Sequence, residues 1–561
     1  MENPSQIPTN DVTRRGFFTR VSAVLLGTLV PHHATASESL KNLESKKPWE
    51  PHKKKKIVVI GSGIGGMASG ALFAVAGHQV TVLEMHTSLG GHGRHVVRDG
   101  LKFSMGPQYV WDFYKDAIGD RFINHLNIAD QTPFVKMDPD GFETVLIQQD
   151  SGEAIRYAVP LGLPRFRDSL GEHFPKERTQ INRFFNDMIE ITDALAFITD
   201  QLSFKGDWKA YVNVIFGTKV RISTKLKLAR ALLTDLEKWF DDYKLSKTVR
   251  VILYGHGGIF AECEKDLSAL VYMSGTSYYH RGSHYPKYGF DVFFDQLRHV
   301  IEKNGGKVLT GKKATAISVR ENKADRVKCA DGSQYNCDAI FSNIAPRLTS
   351  KILPEDFQES FTYSPSNTIS VCMFGFDGNY ERISEMKGKN FWWLDSTTPI
   401  DYENVDLNAS PKMMYITSHT ANGFGKVDPE ANLSSLTVFV PNNFMRESAI
   451  QYSGGDAEER FKTETLEHTL ALIDKEIFPG IANHLNFSEI MTSLELHKET
   501  DSERGNIYGR RLTIKEHIKL PIHSFPVENI YSINATTGGP GIARGIQNAA
   551  VLLKDLTAQV I

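Results

Sequence analysis

The stretch IVVIGSGIGGMASGALFAVAGHQVTVLEMH constrains the fold of this chain more than any other. The apolar run Ile57–Ile60 precedes the glycine pattern GSGIGG, which is followed by a small-residue run typical of a helix and by a second apolar run that ends at Glu84. We expect Gly61 to make the tight turn, Gly63 to let backbone approach a diphosphate, and Gly66 to let the helix pack closely on the strand. This order predicts a βαβ unit whose helix N-terminus points at phosphate groups.

The acidic residue at the end of the second strand indicates which nucleotide is bound. The carboxylate of Glu84 can accept hydrogen bonds from both hydroxyls of an unphosphorylated adenosine ribose, which favours FAD or NAD over NADP. NAD domains usually continue into another βαβ unit. Here the chain continues as LGGHGRHVVRDGLKFSMGPQYVW, with Gly90 and Gly91 soon after the acid. The sequence therefore favours FAD.

This segment resembles the FAD-binding region of the amine-oxidase-like flavoproteins, specifically the phytoene desaturase, carotenoid isomerase and retinol saturase group. Further stretches that are similar to this group are FPKERTQINRFF, LSALVYMSGTSYYHRGSHYPKYGFDVFFDQL, NGGKVLTGKKATAISV, ADGSQYNCDAIFSNIAP, RGNIYGRR and NIYSINATTGGPGIARGIQNAAVLL. The resemblance implies noncovalent FAD, with NAD(P) as a candidate electron donor or acceptor. The expected cofactor contacts are Gly61, Ser62, Gly63, Gly66, Glu84, Gly91, Arg94, Gly106, Ala314, Gly541 and Ile542.

The chain departs from this group at several positions. His92 follows the GG pair, where relatives often carry arginine or cysteine, and Ser104 stands where an aspartate usually precedes the TGP turn. Asn534 and Ala535 occupy the place where amine oxidases commonly have an acidic residue. No aromatic pair suited to caging an amine is evident, so a flavin amine oxidase is the weaker interpretation.

The favoured function is an FAD-dependent oxidoreductase that desaturates, saturates or isomerises C=C bonds. The resemblance implies an apolar small-molecule substrate: a polyene, carotenoid-like, retinoid-like or long-chain lipid molecule. A flavin amine oxidase is one alternative, and a non-enzymatic lipid-binding protein on the flavoprotein scaffold is another.

The expected fold class is α/β, with a discontinuous Rossmann-like FAD-binding domain and a second α+β substrate domain. We expect the FAD-binding domain to comprise residues 55–135, 286–350 and 500–561. The substrate domain is expected at residues 136–285 and 351–499.

Catalytic residues are harder to assign, because a flavin carries the difficult chemistry itself and needs no catalytic triad. The candidates for steering the substrate are His280, Arg281, His284 and Tyr285, which the resemblance places near the flavin. Each also fits an ordinary structural position. His92 and His95 could converge on one ion, but no carboxylate or cysteine at familiar spacing completes a ligand set, so we expect no metal site.

The N-terminal segment TRRGFFTRVSAVLLGTLVPHHATA has the order of a signal peptide: the pair Arg14-Arg15, a short apolar stretch from Val21 to Val30, and the small-residue site ATA. The RRGFF arrangement resembles a twin-arginine signal. We expect a twin-arginine-type signal peptide at residues 1–36, a linker at 37–54, and a periplasmic or membrane-peripheral location.

Charge and apolar content limit the partners. The chain has 64 basic and 66 acidic residues, which gives no electrostatic case for nucleic acid. No stretch approaches the ~20 apolar residues of a spanning helix. Lys53–Lys56 is a candidate for peripheral contact with anionic lipid, although a solvated charge run is the simpler interpretation. Soluble NAD(P)H belongs to the cytoplasm. For an exported enzyme we therefore expect a quinone or a redox protein as the electron partner.

The cysteines do not indicate a redox or metal role. Cys263, Cys329, Cys337 and Cys372 show no CxxC spacing. We expect all four to be reduced packing residues.

Overall fold

A computed structural model of the chain describes residues 49–50, 53–148, 154–199, 220–257, 260–398, 400–517 and 525–561. The predicted signal peptide and most of the predicted linker lie outside the described residues.

The strands of the described residues are β1 (Lys56–Ile60), β2 (Gln79–Leu83), β3 (His95–Arg98), β4 (Leu101–Ser104), β5 (Phe134–Lys136), β6 (Glu143–Gln148), β7 (Ala154–Val159), β8 (His284–Pro286), β9 (Lys307–Leu309), β10 (Ala314–Arg320), β11 (Lys323–Cys329), β12 (Gln334–Asn336), β13 (Ala339–Ser342), β14 (Thr368–Asp377), β15 (Asn390–Leu394), β16 (Met413–Thr417), β17 (Leu433–Asn442), β18 (Leu485–Met491) and β19 (Ile530–Ser532).

The α-helices are α1 (Ile64–Val75), α2 (Ile118–His125), α3 (Leu163–His173), α4 (Arg178–Thr199), α5 (Ile222–Leu232), α6 (Leu236–Tyr243), α7 (Lys247–Gly257), α8 (Ala269–Arg281), α9 (Phe290–Lys303), α10 (Pro346–Lys351), α11 (Phe444–Ser453), α12 (Ala457–Glu476), α13 (Ser493–Thr500), α14 (Ile514–His517), α15 (Ala535–Gly538) and α16 (Ile542–Thr557). Short 3₁₀ helices span Gly91–Gly93, Pro175–Glu177, Glu355–Phe357, Glu381–Met386, Ile481–His484 and Glu503–Gly505.

A five-stranded parallel sheet forms the nucleotide-binding half of the fold, in the order β19-β13-β1-β2-β9. Its strands are apolar and rich in β-branched residues, as expected for a sheet that is covered on both faces. Successive residues of β1 face opposite sides of the sheet. Val59 packs in the core beneath α1, α9 and α16, while Val58 packs towards the antiparallel sheet β10-β11-β12. This arrangement confirms the predicted α/β fold class.

A seven-stranded mixed sheet, in the order β18-β14-β17-β16-β15-β6-β7, forms the second half. Only the β6–β15 pair within it is parallel. Trp392 of β15 packs on the side covered by α3 to α8, while the adjacent Trp393 packs on the opposite side against Ile473 of α12. The two faces of this sheet are therefore covered by different helices.

Two further features concern the whole described chain. Among its helices, none combines the length and apolarity that crossing a bilayer requires. All four cysteines are buried and free, in agreement with their expected packing role. The predicted domain boundaries remain predictions.

Candidate functional site

A continuous cavity of about 850 Å³ connects the carboxyl ends of the parallel strands with the mixed sheet. At one end it is lined by the glycine loop after β1 and by Glu84 after β2, and at the other by apolar side chains such as Leu228, Phe260 and Leu270. Open α/β sheets bind their ligands outside the carboxyl ends of the strands, and this volume lies in the range of ~300–1,000 Å³ typical of small-molecule sites.

The glycine loop requires glycine at two positions for different reasons. Gly61 adopts φ +93°, a left-handed conformation that other residues rarely adopt. A Cβ on Gly66 would lie 2.0 Å from the carbonyl oxygen of Gly61, so a side chain there would push α1 away from the loop. The loop thus exposes its backbone to the cavity and brings the N-terminus of α1 close to it, an arrangement suited to phosphate.

Glu84 ties this loop to its surroundings. Its Oε2 accepts hydrogen bonds from the Ser62 amide at 2.9 Å and the Ser62 hydroxyl at 2.5 Å, and its Oε1 accepts one from the His86 amide at 2.8 Å. Ser62 Oγ in turn accepts from the Gly90 amide at 3.1 Å, which joins the glycine loop to the GG turn. A carboxylate offers about four acceptor sites, so one remains for a ribose hydroxyl.

The structure brings ten of the eleven sequence-predicted cofactor residues to the cavity: Gly61, Ser62, Gly63, Glu84, Gly91, Arg94, Gly106, Ala314, Gly541 and Ile542. The exception is Gly66, which packs against the loop instead of lining the cavity. Arg94 forms an ion pair with Glu499 at 2.6 Å, and Gly541 is the N-cap of α16. Two helix N-termini, those of α1 and α16, therefore meet the cavity.

The residues expected to steer the substrate do not line the cavity. His280 is buried between Phe142 and Phe166, with ring centroids 5.4 and 5.2 Å away, and Arg281 lies 3.8 Å from Asp193. The face of α8 that does line the cavity carries Val271, Ser274, Gly275, Tyr278 and Tyr279. His280 and Arg281 fall outside that face because each residue turns a helix by about 100°.

His284 and Tyr285 lie in β8, which pairs with β5. His284 lies 3.2 Å from the carbonyl oxygen of Gly282, and the Tyr285 ring stacks on Phe424 at 6.1 Å. Neither residue is among the described residues that line the cavity, and their expected place beside the cofactor stays a prediction.

An aromatic wall, formed by Tyr109, Trp111, Tyr279, Trp392, Tyr415 and Tyr508, lines the middle of the cavity. The ring centroids of Tyr109 and Tyr279 lie 5.0 Å apart, and Trp392 stacks on Tyr415 at 4.2 Å. The sequence made no aromatic pair evident, whereas the folded chain places two such pairs in the cavity wall. The residues of the aromatic wall come from five distant parts of the chain, so no local sequence spacing predicts that they meet.

Two polar atoms in the cavity wall lack partners. The Nε2 atom of His92 and the hydroxyl of Tyr415 are buried and have no hydrogen-bond partner within the described ranges. Burial and the nearby charge of Arg94 lower the pKa of His92 to about 4, so its ring is neutral at physiological pH. Buried polar groups are nearly always hydrogen-bonded, and a bound molecule would satisfy both of these. The glycine cradle, the free acceptor on Glu84 and these two atoms fit a dinucleotide with a polar ring system.

Comparisons with known proteins identify the family of this chain. Residues 64–434 match the family described as flavin containing amine oxidoreductase, and the chain belongs to this family. All-trans-retinol 13,14-reductase from Rattus norvegicus is 28% identical over 535 residues, which cover 89% of this chain and 86% of that protein. The 4,4'-diapolycopene oxygenase of Methylomonas sp is 19% identical over 526 residues, covering 89% and 97%.

A solved oxidoreductase from Methanosarcina mazei is 15% identical, covers 89% of this chain and 100% of its own, and superposes with a TM-score of 0.60. That likeness shows the fold. Together with the family match, these relatives confirm the predicted resemblance and the predicted class of enzyme. The protein is a flavin-dependent oxidoreductase.

Proposed function

We propose that the protein binds FAD noncovalently in the glycine-lined part of the cavity and desaturates, saturates or isomerises C=C bonds of a long apolar substrate. The observation that carries this proposal is the continuity of one cavity from the glycine loop, past the aromatic wall, to an apolar end. A cofactor and a substrate can thus occupy adjoining parts of the same space.

The chain's own residues divide into two roles. The loop at Gly61, Ser62 and Gly63 and the N-termini of α1 and α16 would hold the diphosphate, and Glu84 would accept from the ribose. FAD, when bound, supplies hydride and single-electron chemistry. None of the four cysteines is among the described residues of the cavity wall, which favours noncovalent binding.

The substrate end of the cavity is apolar. Its side chains align a hydrophobic molecule by shape rather than by charge, and they include Leu195, Leu228, Leu232, Phe260, Leu270 and Leu512. Retinol and diapolycopene, which appear in the names of two relatives, are polyenes, and this supports the same substrate class here. The aromatic wall would also suit an amine, so an amine oxidase is the second candidate function.

The test is anaerobic mixing of the flavin-containing protein, oxidised and reduced in turn, with all-trans-retinol, diapolycopene and putrescine. We expect a polyene to change the flavin absorbance or to be isomerised, with product identified by chromatography and mass spectrometry, and putrescine to have no effect. Bleaching by putrescine with peroxide release would instead support an amine oxidase. Co-purified lipid on a flavin that no lipid reduces or reoxidises would support a lipid-binding protein.

We also propose that the protein is exported by the twin-arginine route and draws on a quinone or a redox protein rather than on NAD(P)H. The RRGFF segment supports export, and Lys53–Lys56 supports contact with anionic lipid at the membrane surface. Replacing Arg14 and Arg15 by lysine should retain the protein in the cytoplasm, as measured by cell fractionation. Unchanged export would contradict this proposal.

A further inference from the structure

A buried carboxylate stands directly behind the aromatic wall. Glu143, the first residue of β6, is fully buried, and two members of the wall donate hydrogen bonds to it. The Tyr109 hydroxyl donates to Oε1 at 2.5 Å, and the Trp392 indole N–H donates to Oε2 at 2.9 Å. No cation of the described residues contributes to the electrostatics of this carboxyl group. A buried carboxylate without a cation is costly, so the group favours its protonated form.

The position of that proton follows from the donors around it. Burial raises the pKa of Glu143 to about 8, although the hydrogen bonds from Tyr109, Asn390 and Trp392 oppose this rise. An indole N–H can only donate, so it occupies Oε2 and leaves Oε1 to carry the proton. The protonated Oε1 then donates to the Tyr109 oxygen, and the phenol hydrogen of Tyr109 is free to point elsewhere.

This phenol hydrogen belongs to a residue of the cavity wall. Tyr109 lines the cavity, and the unpartnered hydroxyl of Tyr415 lies in the same wall. The titratable groups that face Glu143 are Tyr109, Tyr279 and Tyr415, and burial raises the pKa of all three well above 10. These phenols therefore stay neutral, and Glu143 is the group among them that titrates near physiological pH.

We propose that Tyr109 is a catalytic residue that delivers a proton to a carbon of the substrate, and that Glu143 positions Tyr109 and replaces its proton. The inference rests on the proposed function. Reduction of a C=C bond adds a hydride, which a bound reduced flavin would supply, to one carbon and a proton to the other. The Tyr109 O–H bond breaks as the new C–H bond forms, the proton of Glu143 moves to the phenol oxygen, and the Glu143 carboxylate regains a proton from water.

The proton on Glu143 explains how Tyr109, a weak acid, could release its own proton. A buried phenol is too weak an acid to ionise by itself, so Tyr109 can release its proton only as another arrives. Glu143 supplies that proton at 2.5 Å, within hydrogen-bond reach. In desaturation the same atoms run in reverse, with Tyr109 receiving the proton that leaves carbon.

A titration of the flavin-free protein tests the proton on Glu143 without any turnover. Ionisation of Glu143 places a negative charge beside the indole of Trp392, which should change the tryptophan emission with a midpoint near pH 8. We expect this transition in the wild type and in Tyr157→Phe, a control that removes a buried phenol bonded to Ser169 outside the cavity wall. It should be absent in Glu143→Gln and in Trp392→Phe. A transition that persists in Glu143→Gln would overturn the assignment.

Polyene reduction by the flavin-containing protein tests the proton transfer. Tyr109→Phe should slow the reaction by about 100-fold or more, the scale of general acid catalysis, with FAD binding retained. Glu143→Gln should slow it less and abolish the fall in rate above about pH 8, whereas Tyr157→Phe should match the wild type. In D₂O the wild type should add one deuterium to the product carbon.

The outcomes separate the two proposals. A wild type that converts the polyene no faster than Tyr109→Phe would overturn this inference and leave the proposed function standing. A flavin-containing wild type that converts no polyene would overturn both. If Tyr109→Phe does not fold, the pH profile of Glu143→Gln decides, and a profile identical to that of the wild type contradicts the inference.

Discussion

The buried Glu143 makes folding depend on pH in a way that can be calculated. Its pKa is near 4.5 in an unfolded chain and about 8 in the folded protein, because burial disfavours the charged form. Between these values the folded state holds a proton that the unfolded state has released. The contribution to stability is therefore fully present below about pH 4.5 and is lost as the pH rises through about 8. At about 1.4 kcal/mol per pH unit, the whole effect is on the order of 5 kcal/mol.

The assay is urea unfolding of the wild type and of Glu143→Gln at several pH values from about 5 to about 9. We expect the wild type to lose about 4 kcal/mol more stability than the variant over this range, since most of the window between the two pKa values lies within it. Burial also raises the pKa of Glu264, to about 7, but that group is present in both proteins and cancels in the difference. Parallel stability profiles for the two proteins would refute the reasoning.

Three further substitutions test other parts of the account. Glu84→Ala should reduce FAD affinity at least 10-fold in fluorescence titrations, because it removes about 1.5–3 kcal/mol of charged hydrogen bonding from the loop, whereas the exposed Glu430→Ala should have no effect. Gly66→Ala should leave the protein largely free of flavin on purification, since the new Cβ would lie 2.0 Å from a backbone oxygen; normal flavin content would contradict this. Arg511→Met should destabilise the fold by about 3–5 kcal/mol in urea unfolding, because Glu262, only 1% exposed, loses its ion-pair partner at 2.7 Å; an unchanged midpoint would count against it.

The part of the site that the sequence predicts is the part built from consecutive residues. The run from β1 to Glu84 carries its turn, its helix start and its acid at fixed spacing, so the nucleotide cradle can be inferred locally. The resemblance extended that inference to Ala314, Gly541 and Ile542, which no local pattern identifies.

The substrate side could not be predicted in the same way. Glu143 and Trp392 meet because β6 pairs with β15 in parallel, with Val145 opposite Trp392, and Tyr109 joins them from a third part of the chain. Successive residues of α8 point in different directions around the helix, so Tyr279 reaches the cavity and His280 does not. Both facts depend on how strands pair and how helices are oriented in the folded chain, which a single sequence does not specify.

Every function proposed for this protein requires that the glycine loop and Glu84 hold FAD. This binding is tested most directly by measuring the flavin bound to freshly purified protein, released by denaturation and identified by mass spectrometry. We expect about one FAD for each chain, and rebinding of FAD to the flavin-free protein. A folded, colourless protein that cannot be reconstituted with FAD would contradict it.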